Sequence, residues 1–338
     1  MTSSTSSFDA VNKSWTPVWI LCGLLLTSLL LLWETTVRHA GLGPEYSDNR
    51  ALWLSSRHEL SDFDPASVAL LGASRIQRAI EPSVLSQELG RPVVQLAVEG
   101  SSGLPVLENL AVDPRFRGTI ILSVAPAFSF NRRLSKLDAS SQAAWVDAYR
   151  RQSRSRRMEQ ELRLLVQGAF AFRSADAAPP RVLKELADTG RLPQPDYKRI
   201  ERNRFVHIDP TRFEGNPTPQ GVVDLYQQNT EPYERQGFDE LLNYFATLVN
   251  ILQAKGSQVV VVRLPSSGLV LDYEGQLFPK SQFWNRMQQQ IDATFVHFED
   301  YPELRGFLSI DGSHIASDRA ADFTRELAAV LTDNGTLK

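Results

Sequence analysis

Apolar residues in this chain fall into one long uninterrupted run near the N-terminus and several short runs farther along. The long run covers residues 15–33 (WTPVWILCGLLLTSLLLLW) and contains no charged side chain. The short runs are 67–71 (SVALL), 93–98 (VVQLAV), 119–124 (TIILSV) and 258–264 (QVVVVRL), each bounded by Gly or Pro. The two kinds of run predict a membrane segment and the buried strands of a separate α/β domain.

The long run predicts a membrane-spanning helix. At 1.5 Å per residue, its 19 residues nearly cross a hydrocarbon core of about 30 Å. Trp15, Trp19 and Trp33 suit the aromatic belts at the two membrane surfaces. Lys13 is the only basic residue upstream and no good cleavage site follows, so we favour an uncleaved anchor over a cleaved signal peptide. With Lys13 before the run and Arg38 after it, charge leaves the membrane orientation open.

The short runs and the helical patterns between them predict the fold of the domain. Near-continuous Val, Ile and Leu are typical of strands buried on both faces of a sheet. Helical spacing at 103–111 and 237–255 alternates with these runs, which predicts a mostly parallel sheet with right-handed crossovers. The chain is therefore expected to comprise a short tail (1–14), an anchor (15–33), a neck (34–66) and a domain (67–335) with a helical and loop-rich insertion at about 131–232.

Composition narrows the possible functions. The chain has 338 residues and a formal charge of -3, so no basic excess favours nucleic acid as a partner. Its single cysteine, Cys22, lies in the long apolar run, which rules out a disulfide within the domain. The sequence has no zinc-type Cys/His set, no P-loop and no dinucleotide-binding glycine motif, so we expect no metal and no cofactor.

Ser74 is the first candidate for chemistry. It follows the first short apolar run by three residues, in the turn Gly72-Ala73-Ser74-Arg75, which opens a helical pattern. Ligands collect at the carboxyl ends of the strands of an open parallel sheet. A serine at this place can have an exposed hydroxyl and a backbone N–H positioned for an anion. Taken alone, the turn is equally consistent with a plain helix N-cap.

His314 is the histidine best placed to serve such a serine. A nucleophilic serine needs a general base and a group that orients the base. Of the five histidines, only His314 follows an apolar run and precedes the final helical pattern. Asp311 lies three residues earlier, so a turn can bring its carboxylate to the imidazole. Without a partner, such a histidine is usually an ordinary surface or core residue.

Taken together, Gly72-Ala73-Ser74-Arg75 and Asp311-Gly312-Ser313-His314 resemble the SGNH (GDSL-like) hydrolase superfamily, which pairs an early serine block with a terminal D-x-x-H block. Residues 95–102 (QLAVEGSS) are similar to its second block, and the resemblance covers about 67–135 and 237–332. It implies a three-layer α/β/α fold with a flavodoxin-like, mostly parallel sheet. It also implies that Ser74 is the nucleophile, His314 the base and Asp311 its partner, with the N–H groups of Ser74 and Gly100 in the oxyanion hole.

This chain differs from the superfamily in the third sequence block. That block carries G-x-N-D, whose Asn completes the oxyanion hole, whereas residues 123–131 read SVAPAFSFN. Asn131 takes this role only if its loop folds back. The segment instead resembles membrane-tethered SGNH proteins of cell-envelope polymer modification, such as those that help add D-alanyl esters to teichoic acids. This likeness implies a single-pass protein of the bacterial inner membrane with its domain in the periplasm or outside the cell.

The resemblance implies acyl transfer through an acyl-enzyme on Ser74, with O-acetylation of an exported or cell-envelope polysaccharide as the leading interpretation. The expected partners are an acyl donor, a polysaccharide acceptor and a polytopic membrane acyltransferase. A membrane-tethered carbohydrate or lipid esterase is the catalytic alternative, and a non-catalytic scaffold of a polysaccharide export complex is the alternative of another class. Arg75 and Arg263 are candidates for binding an anionic substrate, although Arg75 is equally open to a structural ion pair.

Overall fold

The structure is a computed structural model, and it describes residues 14–62, 66–130, 141–212, 218–231, 235–307, 311–333 and 335. Two compact units divide the chain. The anchor unit takes in Met1–Pro44 and Ala169–Pro195, and the sheet unit takes in Glu45–Gly168 and Asp196–Lys338. The predicted insertion is therefore shared between the two units.

A five-stranded sheet forms the centre of the sheet unit. The strands of the chain are β1 Val68–Leu71, β2 Val93–Gln95, β3 Thr119–Ser123, β4 Lys198–Ile200, β5 Val206–Ile208, β6 Gln258–Arg263 and β7 Thr294–His297. The five-stranded sheet has the order β2-β1-β3-β6-β7, and every neighbouring pair is parallel. Strands β4 and β5 form a separate antiparallel pair. The parallel sheet predicted from the apolar runs is confirmed, and the four runs form β1, β2, β3 and β6.

Helices separate the strands along the chain. They are α1 Thr16–His39, α2 Arg50–Asp62, α3 Ser74–Ala79, α4 Pro82–Leu89, α5 Leu104–Val112, α6 Pro126–Ser129, α7 Ser141–Arg151, α8 Arg154–Ala169, α9 Pro179–Thr189, α10 Pro219–Asn229, α11 Arg235–Ala254, α12 Gly268–Leu277, α13 Trp284–Gln290, α14 Pro302–Arg305 and α15 Ala320–Asp333. Of these, α5 and α11 lie where helical spacing was predicted at 103–111 and 237–255, and α1 and α9 belong to the anchor unit.

Both faces of the sheet are buried, which explains why the central positions of its strands are apolar. In β1, Ala69 and Leu71 pack in one hydrophobic core with side chains of α2, α5 and α11. Val68 and Leu70 pack in a second core with side chains of α3, α4 and α15. Successive strand residues point to opposite faces, so the central residues of a strand covered on both sides are apolar on both faces.

The stretch 34–66 differs from the predicted neck, because α1 continues through His39 and α2 lies in the core of the sheet unit. Trp53 of α2 is fully buried, and its indole N–H donates to the carbonyl of Leu96 at 2.9 Å. Arg57 is also buried and pairs with Asp113 at 2.8 Å. Buried polar side chains with specific partners give α2 a polar sequence, so the pattern does not mark it as a core helix.

Helix α1 is long and apolar enough to cross a membrane. It has 24 residues, and the predicted span 15–33 lies within it except for Trp15. Its apolar side chains from Val18 to Leu32 are largely exposed, as expected for a helix whose surroundings are lipid. This finding rests on length and composition, and it leaves the membrane orientation open.

Gly72 and Gly103 allow close backbone packing next to the turn of Ser74. Gly72 has φ of +138°, and a Cβ there would lie 2.8 Å from the carbonyl oxygen of Ser123 at the end of β3. Gly103 has φ of +78°, and a Cβ there would lie 2.6 Å from Leu122 Cδ1 and 2.9 Å from the backbone nitrogen of Gly72. The segments after β1, after β2 and at the end of β3 therefore meet in contacts that a side chain would disrupt.

Substitution of Gly72 by Ala is expected to lower the free energy of unfolding by at least about 2 kcal/mol, because it adds both backbone strain and a steric clash. Urea unfolding of the full chain in detergent, followed by tryptophan fluorescence, measures the effect. Gly275→Ala is the matched control: Gly275 lies within α12 and a Cβ there would meet no atom within 4 Å. Equal unfolding free energies for the two variants would contradict the steric account.

Candidate active site

Ser74, His314 and Asp311 meet at the carboxyl edge of the sheet. Ser74 Oγ lies 2.8 Å from His314 Nε2, and His314 Nδ1 lies 2.7 Å from Asp311 Oδ2. An ionised carboxylate only accepts hydrogen bonds, so Nδ1 carries the hydrogen and Nε2 accepts the hydroxyl proton of Ser74. The structure therefore brings together the three residues predicted as nucleophile, base and orienting carboxylate.

Ser74 is the first residue of α3 and does not cap it. The N-cap is Ala73, which has an extended backbone, and no side chain caps the helix. The Ser74 hydroxyl is instead bonded to His314. The sequence left two roles open for Ser74, a helix N-cap and a partner of a histidine, and the geometry favours the second.

A tight turn fixes the carboxylate of Asp311. Its Oδ1 accepts hydrogen bonds from the backbone N–H groups of Ser313 and His314, both at 2.8 Å. Gly312, which lies between Asp311 and Ser313, has φ of +80°, and a Cβ there would lie 2.6 Å from Val270 Cγ2 at the start of α12. The carbonyl of Gly312 accepts a hydrogen bond from the N–H of Ser267 at 3.0 Å. The turn is thus held by hydrogen bonds within itself and by its contacts with the residues at the start of α12.

Electrostatic interactions favour an ionised Asp311 beside a neutral His314. Burial raises the pKa of Asp311, but hydrogen bonds from His314 and from two backbone N–H groups outweigh it and hold the pKa well below its usual value. Burial lowers the pKa of His314 and the charge of Arg78 lowers it further, against the raising effect of Asp311. A neutral imidazole is the form that accepts a proton from a serine hydroxyl.

A cluster of charged side chains, formed by Arg78, Glu99 and Lys198, adjoins His314, and no sequence motif marks it. Arg78, one helical turn after Ser74, pairs with Glu99 at 2.5 Å. Lys198 pairs with the other carboxylate oxygen of Glu99 at 3.0 Å. The charge of Arg78 lowers the pKa of His314, and its position one helical turn after Ser74 is the only sequence signal that would have marked it.

Gly100 lies in a loop bonded to the turn that holds Ser74. The N–H of Val98 and the hydroxyl of Ser101 both donate to the carbonyl of Gly72, at 3.0 and 3.2 Å. Gly100 itself has φ of +71°. The loop of Gly100 is therefore hydrogen-bonded to the turn of Ser74, while the oxyanion-hole roles of the Gly100 and Ser74 N–H groups stay predictions. Asn131, the third candidate, lies outside the described residues.

Arg75 and Arg263 share one buried carboxylate. Glu274 of α12 lies 2.7 Å from Arg75 through Oε1 and 2.5 Å from Arg263 through Oε2. All three side chains are at most 5% exposed. Burial raises the pKa of Glu274, but the two arginines outweigh it and hold the pKa below its usual value. The geometry therefore favours a structural ion pair over substrate binding for Arg75, and it gives Arg263 the same partner.

This ion network also connects the serine turn to the D-x-x-H turn. Arg75 Nε donates to Ser313 Oγ at 3.1 Å, and the hydroxyl of Tyr226 lies 3.2 Å from the same oxygen. Tyr226 is on α10, within the predicted insertion. Glu274 and Tyr226 were not selected from the sequence because each is an ordinary residue of its helix, with no motif around it.

Among the residues that the structure describes, no group of three or more His, Cys, Asp or Glu side chains is arranged to hold a metal ion. Comparison of the chain with models of protein families finds no matching family, and comparison with curated proteins finds no match. The interpretation of this site therefore rests on its own geometry and on the motifs quoted above.

Glu274→Gln is expected to lower the free energy of unfolding by about 3–5 kcal/mol, because it leaves two buried guanidinium groups without their counter-charge. The measurement is urea unfolding of the full chain in detergent. Glu299→Gln is the control: Glu299 is 43% exposed and lies 3.6 Å from Lys280, so less than about 1 kcal/mol should be lost. A loss at Glu274 no larger than at Glu299 would refute the structural role of the network.

Arg78→Gln is expected to raise the pKa of His314, because it removes a positive charge that disfavours the imidazolium and leaves Glu99 without that partner. The pKa is measured by NMR titration of histidine-labelled protein, with His314 assigned through a His314→Gln variant. Arg325→Gln is the control, since Arg325 is exposed and pairs with Asp322. An unchanged or lower pKa in the Arg78 variant would contradict the assignment.

Proposed function

We propose that this protein is a membrane-anchored enzyme that transfers acyl groups through Ser74. The observation that carries the proposal is the hydrogen-bond chain from Ser74 to His314 to Asp311, at 2.8 and 2.7 Å. A serine hydroxyl bonded to a neutral imidazole, which is itself oriented by a carboxylate, is the arrangement that makes serine a nucleophile. Helix α1 supports the anchoring, because it is long and apolar enough to cross a bilayer.

The proposal includes membership of the SGNH superfamily and a three-layer α/β/α fold. Three features support it. The serine turn follows β1, the glycine of the second block follows β2, and the D-x-x-H turn precedes the last helix. Hydrophobic cores on both faces of the parallel sheet are what a layer of helices on each side would produce.

In the first half of the reaction, Ser74 Oγ attacks the carbonyl carbon of a donor ester and forms a new C–O bond. His314 Nε2 takes the hydroxyl proton, and Asp311 stabilises the resulting imidazolium. The N–H groups of Ser74 and Gly100 stabilise the negative charge on the carbonyl oxygen. The ester C–O bond then breaks, His314 returns the proton to the departing alkoxide, and the acyl group stays on Ser74.

In the second half, a hydroxyl group attacks the acyl-enzyme. His314 takes the proton of that hydroxyl as its oxygen bonds to the acyl carbon, and then returns the proton to Ser74 as the acyl–Ser74 bond breaks. A sugar hydroxyl gives transfer, whereas water gives hydrolysis. The chemistry at Ser74 is the same in both cases, so access of the acceptor decides between them.

For the substrate, we propose an exported or cell-envelope polysaccharide that is O-acetylated on the outer side of a bacterial inner membrane. The anchor and the likeness of residues 123–131 to membrane-tethered SGNH proteins support this choice. A polytopic membrane acyltransferase would deliver the acyl group across the membrane. A tethered carbohydrate or lipid esterase is the catalytic alternative. A non-catalytic scaffold is less favoured, because it has no need of the complete hydrogen-bond chain.

Ser74→Ala is expected to lower turnover by about 10⁴ to 10⁶, since it removes the atom that carries the acyl group. The full chain is purified in detergent and incubated with an activated acetyl ester, and release of the leaving group is followed with time. Ser83→Ala is the control, because Ser83 is an exposed serine of the neighbouring helix α4. Undiminished turnover in the Ser74 variant would contradict the proposal that Ser74 carries the acyl group.

The same incubation with added oligosaccharide separates transfer from hydrolysis. Mass spectrometry of the sugar detects acetylated product, and a coupled assay detects free acetate. Acetylated oligosaccharide that depends on Ser74 is the expected result. Free acetate without any acetylated sugar would replace the transferase proposal by the esterase one.

A further inference from the structure

The anchor unit exposes apolar side chains that its own core does not cover. Phe170 is 41% exposed, and Leu183 and Leu186 of α9 are 56% and 45% exposed. Leu183 and Leu186 are three residues apart and so lie on neighbouring positions of one helix face. Elsewhere on α9, Lys184 and Asp188 form an exposed ion pair at 3.4 Å. Helix α9 therefore has one apolar side and one charged side that both face outward.

Hydrogen bonds attach residues 171–177, which precede α9, to the C-terminal part of α1. The carboxylate of Glu34 accepts the backbone N–H groups of Ala171 and Phe172 at 2.7 and 3.0 Å. The indole N–H of Trp33 donates to the carbonyl of Ala177 at 3.1 Å. The segment 171–177 is thus bonded to the two residues at which the apolar run of α1 gives way to charge.

A small core completes the attachment. Val37 and Leu42, at the end of α1, pack with Ala171, Ala177 and Val182 in one buried cluster. Val182 is the buried residue of α9, whereas Leu183 and Leu186 lie outside the cluster. The connection of α9 to α1 therefore uses one side of α9 and leaves its apolar leucines uncovered.

The depth of residues 171–177 in the membrane follows from the length of the apolar run in α1. The apolar run 15–33 is about as long as a hydrocarbon core is thick, so its last residue, Trp33, lies near the membrane boundary when α1 spans the bilayer. Groups hydrogen-bonded to Trp33 and Glu34 lie at the same level. Phe170 and Phe172, whose rings are 5.3 Å apart, are aromatic residues of the kind enriched at that boundary.

We propose that residues 170–189 form a second membrane contact, in which Phe170, Leu183 and Leu186 insert into the boundary between lipid headgroups and acyl chains. The charged side of α9 then faces the headgroups and water. An amphipathic helix in this position lies in the interface rather than across the bilayer. The inference rests on α1 spanning the membrane and is independent of the chemistry at Ser74.

Spin labels with paramagnetic relaxation agents test the proposal. Cys22 is the only cysteine, so a Cys22→Ser chain provides the background for Leu183→Cys, Leu186→Cys and the control Lys184→Cys. Each full chain is labelled with a nitroxide and placed in nanodiscs of phosphatidylcholine and phosphatidylglycerol. Power saturation then compares access of oxygen, which concentrates in the bilayer, with access of a water-soluble nickel chelate. All three positions are exposed, so the labels leave the buried cluster intact.

Labels at Leu183 and Leu186 are expected to be several-fold more accessible to oxygen, relative to the nickel chelate, than the label at Lys184. Equal nickel access at all three positions would mean that the leucines are in water. Low access to both reagents at the leucines would mean that protein covers them, from a second copy or another partner. The native chain labelled at Cys22 reports α1 itself, and nickel access there would show that α1 is not inserted. Any of these three results overturns the proposal.

Discussion

Two buried arginines bound to one buried carboxylate hold the site together. A guanidinium group in a protein interior is stable only when an anion compensates for the lost hydration, and Glu274 does this for both Arg75 and Arg263. Because Arg75 follows Ser74 directly and also bonds to Ser313, the network connects the serine turn to the turn that carries His314. The positive charge of Arg75 also contributes to the lowered pKa of His314. The same contacts therefore connect the two turns and add to the effects of burial and Arg78, which lower the pKa of His314.

The predictable parts of the fold are those in which the residues of a short segment reflect how that segment is buried in the structure. Strands covered on both faces are apolar at their central positions, so β1, β3 and β6 are visible as continuous runs. Ser74, Asp311 and His314 were found because the serine lies in a short turn after a strand and the aspartate and histidine share a second turn, so spacing along the chain constrains their geometry. The helical pattern that Ser74 opens is divided into α3 and α4, and Pro82 explains the break between them.

The parts that were not predictable depend on partners far away in the sequence. Helix α2 looks like a polar neck because Arg57 is buried through an ion pair with Asp113, 56 residues later. Glu274 and Tyr226 reach the site from helices whose own patterns are ordinary, so nothing nearby marks them. Arg75 was open to two roles, and only the position of Glu274 distinguishes them. The division of the insertion between two units is equally invisible to local patterns, since Glu34 bonds to backbone groups rather than to a complementary side chain.

The anchor unit is discontinuous in sequence, so the chain connects it to the sheet unit more than once. The chain passes between the two units at three places, near residues 44, 168 and 195. A protein with one linker is shed from the membrane by a single proteolytic cut. Here a cut near residue 44 would leave the sheet unit joined to the anchor through Ala169–Pro195, which Trp33 and Glu34 hold by hydrogen bonds. Release of the sheet unit from the membrane would require several cuts or loss of those bonds. The three connections between the units therefore protect the protein against shedding by a single cut.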